Sequence, residues 1–126
     1  MKGLMKILFL FSILAIVSCG DDACIQDDWV GTFEGTIDCD GTVEDVTVTI
    51  TASGTDAVRV VTIAGNATTS YDPITVVDCS GENSGTFGSV SASVMISLDG
   101  DEFKLEDVTM GGAFDQTCSL TATRMN

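Results

Sequence analysis

From residue 29 to the C-terminus, apolar side chains recur at every second position, and this alternation constrains the fold more than any other feature. Trp29, Gly31, Phe33, Gly35 and Ile37 share one face, with Thr32, Glu34 and Thr36 on the other. Val46, Val48, Ile50 and Ala52 alternate with threonines, and Val90, Ala92, Val94, Ile96 and Leu98 alternate chiefly with serines. Cys118, Leu120 and Ala122 alternate with Thr117, Ser119, Thr121 and Thr123. A period of two belongs to a β-strand with one face in a core and one in water, and Val and Thr suit the pleated surface. Ala57–Ala64 is more uniformly apolar and leaves its facing open. Glu102–Met110 starts with Phe103 and Leu105 inward, then shifts phase toward Val108 and Met110. With Gly111-Gly112 next, that shift predicts a bulge or sharp bend. No helical period of useful length follows residue 18.

Turn signals separate the segments: Asp40-Gly41, Ser53-Gly54, Gly65-Asn66, Asp72-Pro73, Ser80-Gly81 and Asp99-Gly100. Such pairs suit tight hairpins. The pattern predicts an all-β domain of seven or eight antiparallel strands over residues 29–126. Serial hairpins favour an up-and-down meander closed into a barrel, which removes exposed edges. A β-sandwich is the alternative.

The N-terminus has a different character. Met1–Lys6 carries two lysines, and Ile7–Val17 is apolar except for Ser12. This is the layout of a secretory signal helix, too short for a permanent membrane span. Ile16-Val17-Ser18-Cys19 resembles a bacterial lipobox, with an aliphatic residue three before the cysteine and a small one just before it. The resemblance implies diacylglyceryl transfer to the Cys19 sulfur, cleavage after Ser18 and acylation of the new amine. Residues 1–18 are then the signal, 19–28 a lipidated acidic tether and 29–126 the β domain. Gly20-Asp21-Asp22 resembles the acidic export tag of surface lipoproteins of Bacteroidota. That implies an outer-membrane lipoprotein facing the surface, with a periplasm-facing anchor as the other placement.

All nineteen acids lie in the mature part, with only Arg59, Lys104 and Arg124 against them, so the mature chain carries −16. A polyanion of this kind repels nucleic acid and anionic lipid head groups. Its charge keeps a tethered domain soluble. It also suits a basic protein partner, such as an envelope-active enzyme that the domain would inhibit.

Chemistry is scarce. The chain has no histidine, which removes His-based triads and His metal sites. Four cysteines follow Cys19, namely Cys24, Cys39, Cys79 and Cys118, with no CxxC pair. In an exported domain an even count reads as two disulfides with three possible pairings. Asp38–Asp45 superficially suggests a calcium loop, but its glycine falls too early and the segment reads as a hairpin turn. No carboxylate spacing supports glycoside hydrolysis. The expectation is therefore a non-catalytic binding or structural domain without metal or cofactor.

Trp29-Val30-Gly31-Thr32-Phe33-Glu34-Gly35 and the ending Cys118-Ser119-Leu120-Thr121-Ala122-Thr123-Arg124 resemble the two ends of small lipocalin-like lipoproteins. The likeness covers the ends of the domain and not its middle. It implies a barrel in which a first-strand Trp29 packs against Arg124 of the last strand, and a possible carrier role for a small apolar ligand. About 98 residues make a small barrel that tends to fill itself with side chains. Strand parity adds a separate expectation. In a closed meander the first and last strands pair, which places Cys39 beside Cys118 and leaves Cys24 for Cys79. In an open sandwich Cys39 could pair with Cys79, and Cys24 with Cys118.

Overall fold

The computed structural model describes residues 24–111 and 115–125. The signal, Cys19 and Gly112 lie outside the described residues. A one-turn helix, α1 (Gln26–Trp29), precedes eight strands. These are β1 (Gly31–Cys39), β2 (Thr42–Ala52), β3 (Ala57–Ala64), β4 (Ala67–Val77), β5 (Ser80–Phe87), β6 (Val90–Asp99), β7 (Glu102–Met110) and β8 (Gln116–Arg124). Each pairs with its sequence neighbour, and β1 pairs with β8, so the antiparallel meander closes into a barrel. The sandwich alternative is thereby excluded.

The interior is the face that the alternation specifies. Val46, Val48, Ile50, Val94, Ile96, Leu98, Leu120 and Ala122 are all buried. β3, whose facing the sequence leaves open, turns Val58, Val60 and Thr62 inward. Each large apolar side chain removed from water contributes roughly 1.5–3 kcal/mol. The bulk is concentrated at the end of the barrel where β1 begins. There Trp29, Phe33 and Phe103 are fully buried. Trp29 meets Phe103 edge-on at 6.4 Å, and Phe33 meets Phe103 at 5.5 Å. Trp29 Nε1 is buried without a hydrogen-bond partner among the described residues. The apolar contact outweighs that desolvation.

The structure corrects several sequence-level expectations. Trp29 does not open the first strand but ends α1. The turn is set by Asp28, whose carboxylate accepts from the backbone N–H of Ile25 at 2.9 Å. Its acidic residues, Asp27 and Asp28, sit in the first turn, where the helix dipole favours them. The described part of the 19–28 tether, residues 24–28, is tied to the barrel. Gln26 Nε2 donates to the carbonyls of Gly54 and Ala57, and Cys24 is bonded to Cys79.

Two turn assignments move as well. Ser80-Gly81 lies in β5, the turn being at Asp78 and Cys79. Asp72-Pro73 lies within β4, where the pairing with β3 slips by one residue between Val58 and Val60. Of the bulge or sharp bend expected near the end of β7, no bulge interrupts its ladders to β6 and β8, which run in unbroken register from Glu102, and a bend follows at Gly111, where φ is +135°. Met110 is exposed, and the inward position after Phe103 and Leu105 belongs to Asp107.

Arg124 ties the seam of the barrel to α1. Its guanidinium donates to the carbonyls of Val30 at 2.8 Å and Asp28 at 2.5 Å. It pairs with Asp101 at 3.3 Å and lies 4.7 Å from the centre of the Phe33 ring. The aromatic beneath the cation is thus Phe33, while the carbonyls it grips flank Trp29 on either side. A planar fork can satisfy several acceptors at once. The exposed partner Asp101 adds little by itself. A Cβ at Gly31 would come within 2.5 Å of Arg124 Nη1, which accounts for the glycine there.

The two disulfides are Cys24–Cys79 and Cys39–Cys118, with Cα separations of 5.0 and 4.0 Å. Cys39 and Cys118 are direct partners across the β1–β8 ladder. This is the pairing that parity plus closure predicts.

Candidate functional site

The barrel has two unlike halves. Around Trp29 and Phe33 it is filled by large buried side chains. Toward the hairpins Asp40-Gly41 and Gly65-Asn66 the inward positions become small or polar, and the cause lies in the wall. β4 has eleven residues and β5 eight, yet only three pairs join them: Thr75 with Glu82, Val76 with Gly81 and Val77 with Ser80. Pro73 has no N–H, so it cannot donate to the neighbouring strand. The slip at Asp72-Pro73 turns the next stretch of β4 aside. The Pro73 carbonyl is instead satisfied by the Asn83 side-chain amide at 2.8 Å.

The separation of these strands leaves an open cleft of about 290 Å³ between β4, β5, β6 and β7. Tyr71, Asn83, Ala92, Val94, Asp107 and Thr109 line it together with the exposed Asp72, whose Oδ1 accepts from the Ser53 hydroxyl. The Tyr71 hydroxyl donates to Asp107 Oδ2 at 2.6 Å. Asp107 lies opposite Val94 on one side and Cys118 on the other, a carboxylate on the inner face of the barrel. Among the described residues it has no cationic partner.

Tyr71 is half-buried, and its pKa is pushed well above the ordinary value of 10.0. Burial is the largest cause, followed by the hydrogen bond to Asp107 and the charge of that carboxylate. The phenol therefore stays protonated and remains a donor. The native state holds this proton more tightly than the unfolded chain does. Its contribution to stability is then complete below pH 10.0 and declines as the pH rises above that value. Tyr71 is the chain's single tyrosine, so a tyrosinate absorbance titration reads it alone. The expected midpoint lies well above 10.0, falling to the ordinary value on unfolding in urea. Tyr71→Phe should cost about 1–2 kcal/mol at neutral pH. It should also remove the phenol's contribution to the alkaline decline. A native midpoint at the ordinary value would show that the pair is not formed.

The other residues singled out in the sequence lie elsewhere. Trp29 and Arg124 are at the opposite end of the barrel, and the four cysteines are structural. The Asp38–Asp45 segment is the β1–β2 hairpin. Asp38 accepts from the Gly41 N–H at 2.8 Å, and Asp40 from the Thr117 N–H at 3.3 Å. Among the described residues no three His, Cys, Asp or Glu side chains converge as a metal site would require. A wider hollow of about 690 Å³ lies mainly against outward-facing positions, among them Thr75, Met95, Lys104 and Thr121. Its lining mixes polar and charged side chains, Glu82, Lys104 and Glu106 among them, with the exposed Val77 and Met95. Tyr71 and Asp107 escaped the sequence reading because neither belongs to a motif. The available signal was the acid at the inward position two residues after Leu105.

No protein-family model matches the chain, and neither a curated protein nor a solved structure is similar to it at a significant level.

Proposed function

We propose that the chain is a lipid-anchored envelope lipoprotein whose barrel is a non-catalytic binding module for a small ligand. The observation that carries the reading is the cleft around Tyr71 and Asp107, set in a barrel whose other end is packed with Trp29, Phe33 and Phe103. A volume of about 290 Å³ is at the lower end for small-molecule sites, and a few converging polar groups are what orient a ligand in one. A purely apolar cargo is the poorer fit, because it would strip water from Asp107 with only the Tyr71 hydroxyl in compensation.

The anchor reading agrees with the geometry at the other end. Cys24, bonded to Cys79, follows Cys19 by five residues, which span at most about 18 Å. A lipid on Cys19 would hold the Trp29 end toward the membrane and leave the hairpins beyond the cavity facing away from it.

Native mass spectrometry of the protein recovered from its own envelope tests the reading. The expected result is a bound small molecule that is released on denaturation and missing from the cavity-filling variant Ala92→Trp. A bare mass for the wild type would overturn it. In parallel, Cys19→Ala is expected to free the domain from the membrane fraction. Unchanged anchoring would remove the lipoprotein part of the proposal.

A further inference from the structure

We propose that the ligand of this cavity is a small organic cation with a primary ammonium group, held by the Asp107 carboxylate. The inference rests on the cavity-binding reading above and names its chemistry. Asp107 uses Oδ2 to accept from Tyr71, and Oδ1 has no donor among the described residues. A partly buried carboxylate with one open oxygen is a ready acceptor for a charged donor.

The protein does not supply that donor. The chain after Cys19 has three cations, and none forms an ion pair with Asp107. Arg124 is at the far end, engaged with Asp101 and the carbonyls of Asp28 and Val30. Lys104 and Arg59 are exposed, at positions that alternate away from the core. An ammonium N–H donor fits the open oxygen of Asp107, and the charge-assisted bond is stronger than a neutral one. Tyr71 adds an aromatic wall, Asn83 and Thr109 add polar partners, and Ala92 and Val94 admit a short apolar body. The field of a chain with nineteen acids favours entry of a cation and opposes an anion.

Phenethylamine and n-butylamine, with 2-phenylethanol and n-butanol as neutral counterparts, are the probes. Binding to the mature domain is followed by backbone amide NMR shifts. The amines should shift residues of β4, β5 and β7 around Tyr71, Asn83 and Asp107, and should bind more tightly than the alcohols. Asp107→Asn keeps the acceptor for Tyr71 and removes the charge. It should weaken the amines by about tenfold or more and leave the alcohols unchanged. Glu106→Gln, one residue along and on the outer face, should leave both unchanged. Alcohols that bind as well as amines, or amines indifferent to Asp107→Asn, would overturn the cation assignment while keeping the cavity as a binding site. Shifts from none of the four probes at these residues would overturn both.

Discussion

Gly35→Ala is expected to unfold the domain or bring it close to unfolding. Gly35 faces Ala122 across the seam where the first strand meets the last. A Cβ at that position would lie 1.9 Å from the Thr121 carbonyl oxygen and 2.5 Å from the Ala122 Cα. Both obstacles are backbone, so no rotamer change can relieve them. The strands must separate at the one junction that closes the barrel. A loss of more than about 4 kcal/mol follows, which is exceptional for one methyl group and a large part of a small domain's stability. Gly85→Ala is the control. It also sits in a strand, but nothing lies within 4 Å of its added Cβ, so a change within about 1 kcal/mol is expected. Urea unfolding followed by the emission of Trp29, the single tryptophan, measures both. A Gly35→Ala midpoint equal to that of the wild type would mean that the seam is looser than the ladder indicates.

The second large effect is removal of the Cys39–Cys118 bond. It links residues 79 apart in sequence, and closing such a loop in the unfolded chain is worth roughly 4–5 kcal/mol in the loop-entropy account. The double variant Cys39→Ala, Cys118→Ala should therefore unfold at a much lower urea concentration. Its native spectrum should change little, since the ladder from Phe33 to Cys39 against β8 still joins the strands. Cys24–Cys79 spans 55 residues, and by the same account its loss costs nearly as much. That second loss has a further consequence, because it frees the segment leading into α1. Solvent exposure of Trp29 should rise for Cys24→Ala, Cys79→Ala and stay unchanged for the other pair. Peptide mapping without reduction checks the pairing directly. Recovery of Cys39 linked to Cys79 would contradict the closed seam.

The sequence is most legible where one rule acts alone. Along β2, β6 and β8, period-two alternation names the inward residues, apart from Ala52, which is exposed at the end of β2, because a strand has only two faces and water selects between them. It is least legible where the backbone departs from regularity. Pro73 reads as a turn because proline and the preceding aspartate are turn formers. In the barrel the same residue is tolerated inside β4, since the ladder to β3 skips it at the slip and that to β5 starts only at Thr75, so no partner calls for its missing N–H. Trp29 reads as a strand residue because its parity matches Phe33, although Asp28 has already bent the chain into a helical turn. Val108 reads as the inward residue in place of Asp107 because an inward carboxylate contradicts the hydrophobic rule. Only contact with Tyr71, 36 residues distant, makes that position tenable.

By itself the sequence determined an all-β meander, the faces of most strands and, given closure, the partners of the four cysteines. Those are consequences of local periodicity and of counting residues along strands. The tertiary structure alone decided that the meander closes. It also placed Trp29 as the plug of one end and separated β4 from β5 enough to leave a cavity beside an unneutralised carboxylate. These outcomes depend on contacts between residues far apart in the chain, such as Arg124 with Val30 and Tyr71 with Asp107. Alternation says which way a side chain points, but which partner waits there is settled only when the strands are assembled.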